Sequence, residues 1–424
     1  MTDYKIINGT VLSFEDGKPV LSDRTLYIRE GIIHFSPGPE NDSRETVDAR
    51  HMLVMPGLIN MHTHAYMSLM RNYADDVPFQ EWLFNRVMPV EDNLPAEAAY
   101  WGNQLALMEM IQTGTTCFVD MHMYHRQSAL AAKDAGLRAY IGRGLVGEDL
   151  YKDGYSRFKQ ALEEREEFES DTIKFILSPH AIYSCSEKLL RQVTEEADRL
   201  HLLKQTHLSE SVTELNDCIK AHGRTPVQYL RDIGFLNDNT ILAHCVQMQD
   251  DDLDIIKESG ASIVTNVASN AKLGNGIAPL GEMKEKGINV CIGTDGSASN
   301  NSLNMFREMG LLSLMHKGHC RDCMAIPSGY IVEAATRHAA LALKQPCIGN
   351  IFDGAAADIL FVDLNAPSLF PNNNILSSLC YSANGSEVDS VMINGKFVMR
   401  KKEFLTIDRE KVYHEVNRIV KDHL

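Results

Sequence analysis

Two histidines separated by one residue, His62 and His64, end an apolar run in the sequence PGLINMHTHA. Residues i and i+2 of a β-strand point to the same face, so both imidazoles can enter one site. Such a pair is a candidate for half of a transition-metal site, but polar residues also occur where a strand simply reaches the surface. The choice depends on whether other parts of the chain supply further ligands.

Several other apolar runs also end in residues that bind metals or carry protons. His180, His207 and His244 each end one of these runs. Glu210 follows His207 closely, and Asp295 ends the last run. A mixed set of imidazole and carboxylate groups suits zinc or another divalent transition metal, whereas calcium and magnesium prefer oxygen ligands throughout. A single strand-end histidine is often structural, but this recurrence indicates one shared site.

Apolar runs and helical patterns alternate through the middle of the chain. Strands that alternate with helices predict parallel βα units, and eight such units fit an α/β fold of the (β/α)8 TIM-barrel type. In that barrel the chemistry lies at the carboxyl ends of the strands, where the polar residues above fall. A doubly wound open sheet is compatible with the same alternation. The predicted strands are LVMPGLINMH, TTCFVDM, RAYIGRGL, IKFILSPHA, LKQTHLSE, TILAHCV, ASIVTNVAS and NVCIGTDGS, and predicted helices include 96–114, 186–201 and 250–260.

Both ends of the chain are rich in short β segments. NG, DG and EG steps separate these segments near the N-terminus, and another NG step does so near the C-terminus. Such steps are typical of hairpin turns. We therefore predict a small β-sandwich domain formed by residues 1–54 and 352–424 around a barrel of residues 55–351. An amphipathic helix is predicted to close the chain at 409–424.

The acidic composition excludes several kinds of partner. The formal net charge is −16 and the pI is near 5.4, whereas nucleic acids and anionic membranes bind a basic surface. The N-terminus has no signal-peptide pattern, and no stretch approaches the roughly 20 apolar residues of a membrane span. Nine scattered cysteines suit free thiols in a reducing compartment. These features predict a cytoplasmic protein without nucleic-acid or membrane partners, and they leave open whether it forms a homo-oligomer.

Four motifs in a fixed order, PGLINMHTHA, THLSES, ILAHC and IGTDGSASNN, resemble the amidohydrolase superfamily. The likeness covers almost the whole chain, including the split β domain. Residues 81–91 (EWLFNRVMPVE), 143–146 (RGLV) and 178–180 (SPH) are similar to the adenine-deaminating branch of that superfamily. The resemblance implies hydrolytic deamination, with release of ammonia, of the adenine base of S-adenosylhomocysteine, 5-methylthioadenosine or adenosine.

The same resemblance implies a metal centre and two residues that handle protons and water. His244 would orient the water beside the metal, and Glu210 would carry a proton to the purine ring. Asp295 would accept a proton from that water, whose pKa a divalent metal lowers to about 7. One divalent ion per subunit, with zinc favoured and iron and manganese open, would be held by His62, His64, His207 and Asp295.

Substrate contacts are also implied by the resemblance. Glu91 would accept hydrogen bonds from both ribose hydroxyls, which the two oxygens of a carboxylate suit. Arg143 and Arg157 would reach the 5′ substituent, where a pair of arginines suits a carboxylate. His180 and Trp82 would complete the pocket, together with the catalytic Glu210 and Asp295.

Three alternatives share parts of this pattern. Another hydrolase of the same scaffold, such as a guanine or pterin deaminase or a triazine-type hydrolase, would use the same metal set. A non-catalytic metal-binding protein on this fold would not need Glu210. The zinc cytidine-type deaminases are excluded, because the chain has no PCxxC motif.

Some features remain outside the assignment. The segment HKGHCRDC (316–323) is not predicted to be a second zinc site, because no second CxxC accompanies it. His122 and His125 are predicted to pack or to face solvent. Ala268 stands where the family usually has proline, which leaves its effect on substrate preference open. The native metal and the preferred adenosine-type substrate also stay open.

Overall fold

Short strands separated by tight turns form the N-terminal part of the computed structural model, which describes residues 3–38, 45–152, 155–249 and 251–424. Asn8, Asp16 and Glu30 have positive φ angles of 64°, 49° and 51°, and each precedes a glycine. These are the predicted turn positions. The strands are β1 Tyr4–Ile7, β2 Thr10–Glu15, β3 Lys18–Ser22, β4 Leu26–Arg29, β5 Ile32–His34, β6 Glu45–Asp48 and β7 Met52–Pro56.

Eight parallel strands then form one sheet in which every strand pairs with its neighbours in chain order. The backbone N–H of Asp295 donates to the carbonyl oxygen of His62 at 2.9 Å, which joins the end of the last strand to the first. The predicted α/β barrel is therefore confirmed. Its strands are β8 Leu58–Thr63, β9 Thr115–His122, β10 Arg138–Leu145, β11 Ile173–Pro179, β12 Lys204–Leu208, β13 Thr240–His244, β14 Ser262–Thr265 and β15 Val290–Ile292.

The C-terminal strands complete a sheet that the N-terminal strands begin. They are β16 Ile359–Asp363, β17 Val388–Ile393, β18 Lys396–Arg400 and β19 Glu403–Phe404. The order β19-β18-β17-β16-β7-β2-β3 places both ends of the chain in one sheet, and β5-β4-β1-β6 form a second sheet. Residues of both sheets, among them Ile28 and Phe361, share one apolar core. The predicted sandwich is present, and the boundaries 1–54, 55–351 and 352–424 stay a proposal.

Helices fill the connections between the barrel strands and end the chain. The predicted helix 250–260 begins outside the described residues and is observed from Asp252. A 3₁₀ helix at Ala65–Met70 and a π-helix at Glu81–Val87 follow the first barrel strand, and a second π-helix spans Ser378–Ser382. The α-helices are α1 Met88–Glu91, α2 Ala96–Gln112, α3 His125–Ala135, α4 Tyr155–Phe168, α5 Glu187–Leu200, α6 Val212–His222, α7 Pro226–Asp232, α8 Asp252–Ser259, α9 Val267–Lys272, α10 Leu280–Glu285, α11 Ser297–Asn300, α12 Met305–Cys320, α13 Ser328–Ala334, α14 Arg337–Ala342, α15 Ile375–Ser377 and α16 Arg409–His423.

The crossing from sandwich to barrel depends on a glycine between β7 and β8. A Cβ atom at Gly57 would lie 2.0 Å from the Oγ1 atom of Thr116, which is far inside van der Waals contact. The backbone of the first barrel strand thus lies directly against the second strand. Within the described part of the chain, no helix has the length and apolar character needed to cross a membrane.

A buried ion pair ties the barrel to the sandwich. The Nε of Arg138, at the start of β10, donates to the Oδ2 of Asp358 at 2.8 Å, and its Nη1 donates to the carbonyl oxygen of Asp171 at 2.7 Å. The Oδ1 of Asp358 also accepts from the backbone N–H of Asn394 at 2.8 Å. Both charged side chains are buried, so either one without the other would be a desolvated, uncompensated charge.

Asp358→Ala should therefore lower the free energy of unfolding by about 3–5 kcal/mol, because it leaves the guanidinium of Arg138 buried without its partner. Urea denaturation of the full chain measures this change. Glu45→Ala is the control, since it breaks an ion pair with Arg400 that is largely exposed and should cost at most about 1 kcal/mol. Equal shifts in the two variants would contradict this account.

Candidate metal centre and active-site pocket

Three histidines at the carboxyl ends of the barrel strands have one ring nitrogen fixed by a protein acceptor. The Nδ1–H of His62 donates to the Oε1 of Gln205 at 2.9 Å. The Nδ1–H of His64 donates to the carbonyl oxygen of Met121 at 2.8 Å, and that of His207 to the carbonyl oxygen of His180 at 2.7 Å. In each ring the Nε2 atom therefore keeps its lone pair.

These Nε2 lone pairs face one another. The Nε2 atoms of His64 and His207 are 3.3 Å apart, and all three Nε2 atoms fall within a group no wider than 4.8 Å. The Nε2 of His62 is buried and has no hydrogen-bond partner in the described structure. Lone pairs that converge on one point, one of them buried without a partner, fit a divalent metal ion, which would satisfy all of them at once.

Asp295 supplies an oxygen to the same point. Its Oδ1 lies 3.6 Å from the Nε2 of His62 and 3.4 Å from the Nε2 of His64. Its Oδ2 accepts from the hydroxyl groups of Ser269 and Ser299 at 2.6 and 2.8 Å. The carboxylate is therefore held in one orientation, with Oδ1 toward the imidazoles.

The electrostatics of the group suit a cation. Burial, followed by the charge of His64, lowers the pKa of His62 to about 3. Burial also places the pKa of His207 well below its ordinary value. Burial opposes ionisation of Asp295, but the charges of His244 and His64 outweigh it and lower its pKa. At neutral pH the site thus offers the neutral imidazoles of His62 and His207 and the carboxylate of Asp295, which are the forms that bind metals.

His244 and Glu210 lie beside this group. The Nε2 of His244 is 3.8 Å from the Oε2 of Glu210, and His244 also falls within 4.8 Å of ligand atoms of His62 and Asp295. Burial raises the pKa of Glu210. Burial would lower the pKa of His244, but the charges of Glu210 and Asp295 raise it. An acid with a raised pKa next to a histidine is suited to proton transfer near neutral pH.

Above these residues opens a cavity of about 290 Å³. Trp82, Glu91, Arg157 and His180, which the sequence predicts to contact substrate, line this cavity. The residues of the metal and proton-transfer group that line it are His64, His207, Glu210, His244 and Asp295.

Glu91 stands in the wall as an unusual carboxyl group. Burial, followed by the charge of Asp92, raises its pKa to about 8. No described residue donates a hydrogen bond or pairs its charge with the Glu91 side chain. An ionisable group with a strongly shifted pKa and no hydrogen-bond partner among the described residues is a candidate to bind a ligand.

The two predicted arginines differ in position. Arg157 lines the cavity, whereas Arg143 is not among the described residues that line it. Burial, together with the charge of Arg157, lowers the pKa of Arg143, so the two guanidinium groups lie near each other. Its Nε is buried without a hydrogen-bond partner in the described structure. The charge of Glu164 acts in the opposite direction and raises the pKa of Arg143. The Oε2 of Glu164 also accepts from the Nδ1–H of His125 at 2.9 Å.

The histidines that were not predicted to belong to the site differ in whether they line the cavity. His122 and His125 are both buried, and His122 lines the cavity against the ring of Tyr66. His316 is buried, whereas Cys320 and Cys323 are exposed. Among the described residues, the only groups with metal-binding geometry are those at the barrel mouth.

Sequence reasoning missed several residues that orient the site. Gln205 lies two residues before His207 on β12, and its Nε2 also donates to the carbonyl oxygen of Met61 at 2.9 Å. Because i and i+2 share a face, a polar residue two positions before a candidate ligand was a usable signal. Tyr183 also lines the cavity, and nothing in its local sequence pointed to this position.

The backbone turns sharply where the functional side chains emerge. Ser209, His244, Cys245 and Asp295 have positive φ angles of 50°, 76°, 50° and 62°. Residues other than glycine rarely adopt this conformation, and each costs on the order of 1–3 kcal/mol unless its surroundings enforce it. Two of these residues, His244 and Asp295, line the cavity.

Comparisons with known proteins agree with this geometry. A model described as the amidohydrolase family matches residues 53–398. The 5-methylthioadenosine/S-adenosylhomocysteine deaminase of Thermoanaerobacter pseudethanolicus is 39% identical over 423 residues, 98% of each chain. The 5′-deoxyadenosine deaminase of Methanosarcina barkeri is 38% identical over 430 residues, covering 100% of this chain and 98% of that protein. The crystal structure of an adenosine deaminase from Xanthomonas campestris with bound zinc has a TM-score of 0.93 at 30% identity, covering 99% of this chain and 98% of that chain.

Gln205→Ala should weaken metal binding about 10- to 100-fold, because His62 loses the acceptor that fixes its ring. Titration of metal-free protein with Zn²⁺ against a competing chelator measures the affinity. Gln104→Ala is the matched control, since it removes a buried amide that contacts Tyr100 and Ala131 instead. Unchanged affinity in Gln205→Ala, or an equal loss in both variants, would refute the role of Gln205.

Proposed function

The chain belongs to the amidohydrolase family, and we propose that it is a metal-dependent hydrolase that removes the amino group from the adenine base of 5′-substituted nucleosides. One observation carries this proposal. A group of three imidazoles and a carboxylate, with an acid and a further histidine beside it, lies at the floor of a cavity whose wall holds Glu91 and Arg157, and all of the group except His62 lines that cavity. The relatives named above are deaminases of adenine nucleosides.

The residues that would hold the divalent metal are His62, His64, His207 and Asp295. We propose zinc, since imidazole and carboxylate donors suit it and the adenosine deaminase with the same fold binds zinc. Iron(II) and manganese(II) suit the same donors. When bound, such an ion makes water a nucleophile near neutral pH and stabilises developing negative charge.

Asp295 is suited to take the proton that the attacking water gives up. Its Oδ1 faces the imidazoles, and its Oδ2 is occupied by the hydroxyls of Ser269 and Ser299. Oδ1 also accepts from the backbone N–H of Gly296 at 2.8 Å, and it is the carboxylate oxygen that lies at the reacting point. The lowered pKa of Asp295 keeps this carboxylate ionised at neutral pH, which is the form that can accept a proton. His244 lies beside the same group, with its Nε2 atom 3.8 Å from the Oε2 of Glu210, where it can orient the same water.

Glu210 is suited to deliver a proton to N1 of the purine. Protonation of N1 makes C6 more susceptible to attack by water, and the same carboxyl group can then help ammonia to leave. The raised pKa of Glu210 allows it to hold a proton closer to neutral pH than an exposed glutamate does. Its side chain lines the cavity, so it reaches the bound base.

The wall of the cavity suits a nucleoside. The ionised carboxylate of Glu91 can accept from two neighbouring ribose hydroxyls. Trp82 offers an apolar face, and its Nε1 is already occupied by the carbonyl oxygen of Ala298 at 3.2 Å. Arg157 suits a carboxylate on the 5′ substituent, such as that of S-adenosylhomocysteine. We propose that Arg143 supports this contact from behind the wall and that His180 contacts the base.

The purified, metal-loaded protein should release ammonia from S-adenosylhomocysteine, 5-methylthioadenosine or adenosine, and not from guanine. A coupled ammonia assay on these four compounds tests the proposal. Activity on guanine alone would overturn it in favour of another hydrolase of the same scaffold.

Two variants test whether Glu210 carries the proton in this reaction. Glu210→Gln should retain the metal and lose about 10²–10⁴-fold in turnover, because it cannot transfer a proton. Glu387→Gln, which alters a buried carboxylate in the sandwich, should turn over normally if it folds. Near-normal turnover in Glu210→Gln would refute the proton-carrier role.

Glu91→Gln should raise KM for 5-methylthioadenosine about tenfold or more while changing kcat less, because an amide accepts from the ribose hydroxyls less strongly than a carboxylate. In the unaltered protein KM should fall as the pH rises through about 8, where Glu91 ionises. Glu91→Gln should lack this pH dependence. The exposed Glu81→Gln on the neighbouring π-helix is the control. A Glu91→Gln variant that lost only kcat would contradict the ribose contact.

A further inference from the structure

One short segment holds all three side chains that the proposed reaction uses for proton transfer and water orientation. Residues 266–275 follow β14, which is the seventh strand of the barrel, and they include helix α9. We call these residues the strand-7 segment. None of the described residues that line the cavity comes from this segment. We propose that the strand-7 segment is the positioning element of the active site, which orients Asp295, His244 and Glu210 without touching the substrate. This inference rests on the proposed function.

The first contact is with Asp295. The hydroxyl of Ser269 donates to its Oδ2 at 2.6 Å, and the hydroxyl of Ser299 donates to the same oxygen at 2.8 Å. The backbone N–H of Gly296 donates to Oδ1 at 2.8 Å from the other side. Rotation of the carboxylate would break these bonds, so Oδ1 stays toward the imidazoles.

The second contact sets the protonation pattern of His244. Its Nδ1–H donates to the Oδ1 of Asn270 at 2.8 Å. Both side chains are buried, so water does not compete for this bond. With Nδ1 committed to Asn270, the Nε2 atom faces Glu210 and the reacting point.

The third contact is with Glu210. The Nδ2 of Asn275 donates to its Oε1 at 3.0 Å, which leaves Oε2 directed toward His244. Asn275 is itself held at both backbone groups. Its N–H donates to the carbonyl oxygen of Asn270 at 2.9 Å, and its carbonyl oxygen accepts from the Nε2 of Gln247 at 2.5 Å.

The segment is in turn anchored to a buried carboxylate. The backbone N–H of Ala268 donates to the Oε2 of Glu308 at 3.2 Å, and the Nδ2 of Asn300 donates to its Oε1 at 2.8 Å. A proline at position 268 would have no N–H to donate. The carboxylate of Glu308 therefore binds both the strand-7 segment and the segment after the eighth barrel strand. This link fixes the position of the strand-7 segment relative to Asp295.

Packing alone could also account for buried residues at these positions, and the two explanations differ at Asn275. Aspartate has the shape of asparagine but carries no N–H donor at neutral pH, and its charge would repel Glu210. The added charge would act on Glu210 whatever the role of Asn275, so Asn275→Ala separates the two explanations. If Asn275 merely fills space, Glu210 should keep its place beside His244 in Asn275→Ala. If Asn275 positions Glu210 through its donor, the carboxyl group should leave that place in Asn275→Ala, and Asn275→Asp should be at least as damaging.

In the metal-loaded full chain, Asn275→Ala should lose about 10- to 100-fold in kcat, because a hydrogen bond to a charged group is lost. KM and metal content should change little, and Asn275→Asp should lose as much or more. The matched pair Asn289→Ala and Asn289→Asp alters an amide at the opposite end of the barrel, whose Nδ2 donates to Ser262 and to the carbonyl oxygen of His338. Both control variants should turn over normally.

A crystal structure of each variant gives a readout that does not need turnover. The carboxylate of Glu210 should leave its place beside His244 in the Asn275 variants and keep it in the Asn289 variants. An unmoved Glu210, or greater activity in Asn275→Asp than in Asn275→Ala, would overturn the inference. If Asn275→Ala does not fold, Asn275→Asp preserves the buried volume, and normal turnover in it alone is enough to refute the inference. An unaltered protein without activity on any adenine nucleoside would instead refute the proposed function.

Discussion

The convergence of three imidazole lone pairs on one point is the constraint on which the rest of the structure depends. Each of His62, His64 and His207 must donate its Nδ1–H to a fixed acceptor, or its Nε2 atom would not face the others. Two of these acceptors are backbone carbonyl oxygens of neighbouring strands. The position of the strands in the barrel therefore decides the geometry of the site, and the site needs a barrel whose strand ends meet in register.

This constraint explains why unfavourable local structure persists at the strand ends. His244 and Asp295 adopt left-handed backbone conformations, and buried polar groups crowd the barrel mouth. Strained backbone and buried polar groups persist only where the surrounding hydrogen bonds and packing stabilise them. Ser269 donates a hydrogen bond to Asp295, Asn270 accepts one from His244, and Asn275 donates one to Glu210. A network of buried polar contacts therefore holds these side chains in place.

Much of this could be predicted from the sequence, because strand and helix periodicities are local and barrel strands align their ends. The α/β barrel, the terminal β segments and the residues at the barrel mouth follow from these regularities, and the family follows from four ordered motifs. The rest depends on distances across the fold. Spacing places Gln205 on the same face as His207, but it does not show that Gln205 accepts from His62 across the barrel. That Arg143 is not among the described residues lining the cavity, and that β7 pairs with β16, depend on distant segments, for which neither spacing nor composition carries a signal.

The cavity draws its two surfaces from different parts of the chain. Trp82, Glu91 and Arg157 belong to connections after the first and third strands, whereas the reacting groups at its floor are held by the strand ends and the strand-7 segment. Because these surfaces come from separate segments of the chain, a substitution in the wall need not replace a reacting group. A lineage could exchange one nucleoside for another through changes in the wall alone and inherit its hydrolytic chemistry intact.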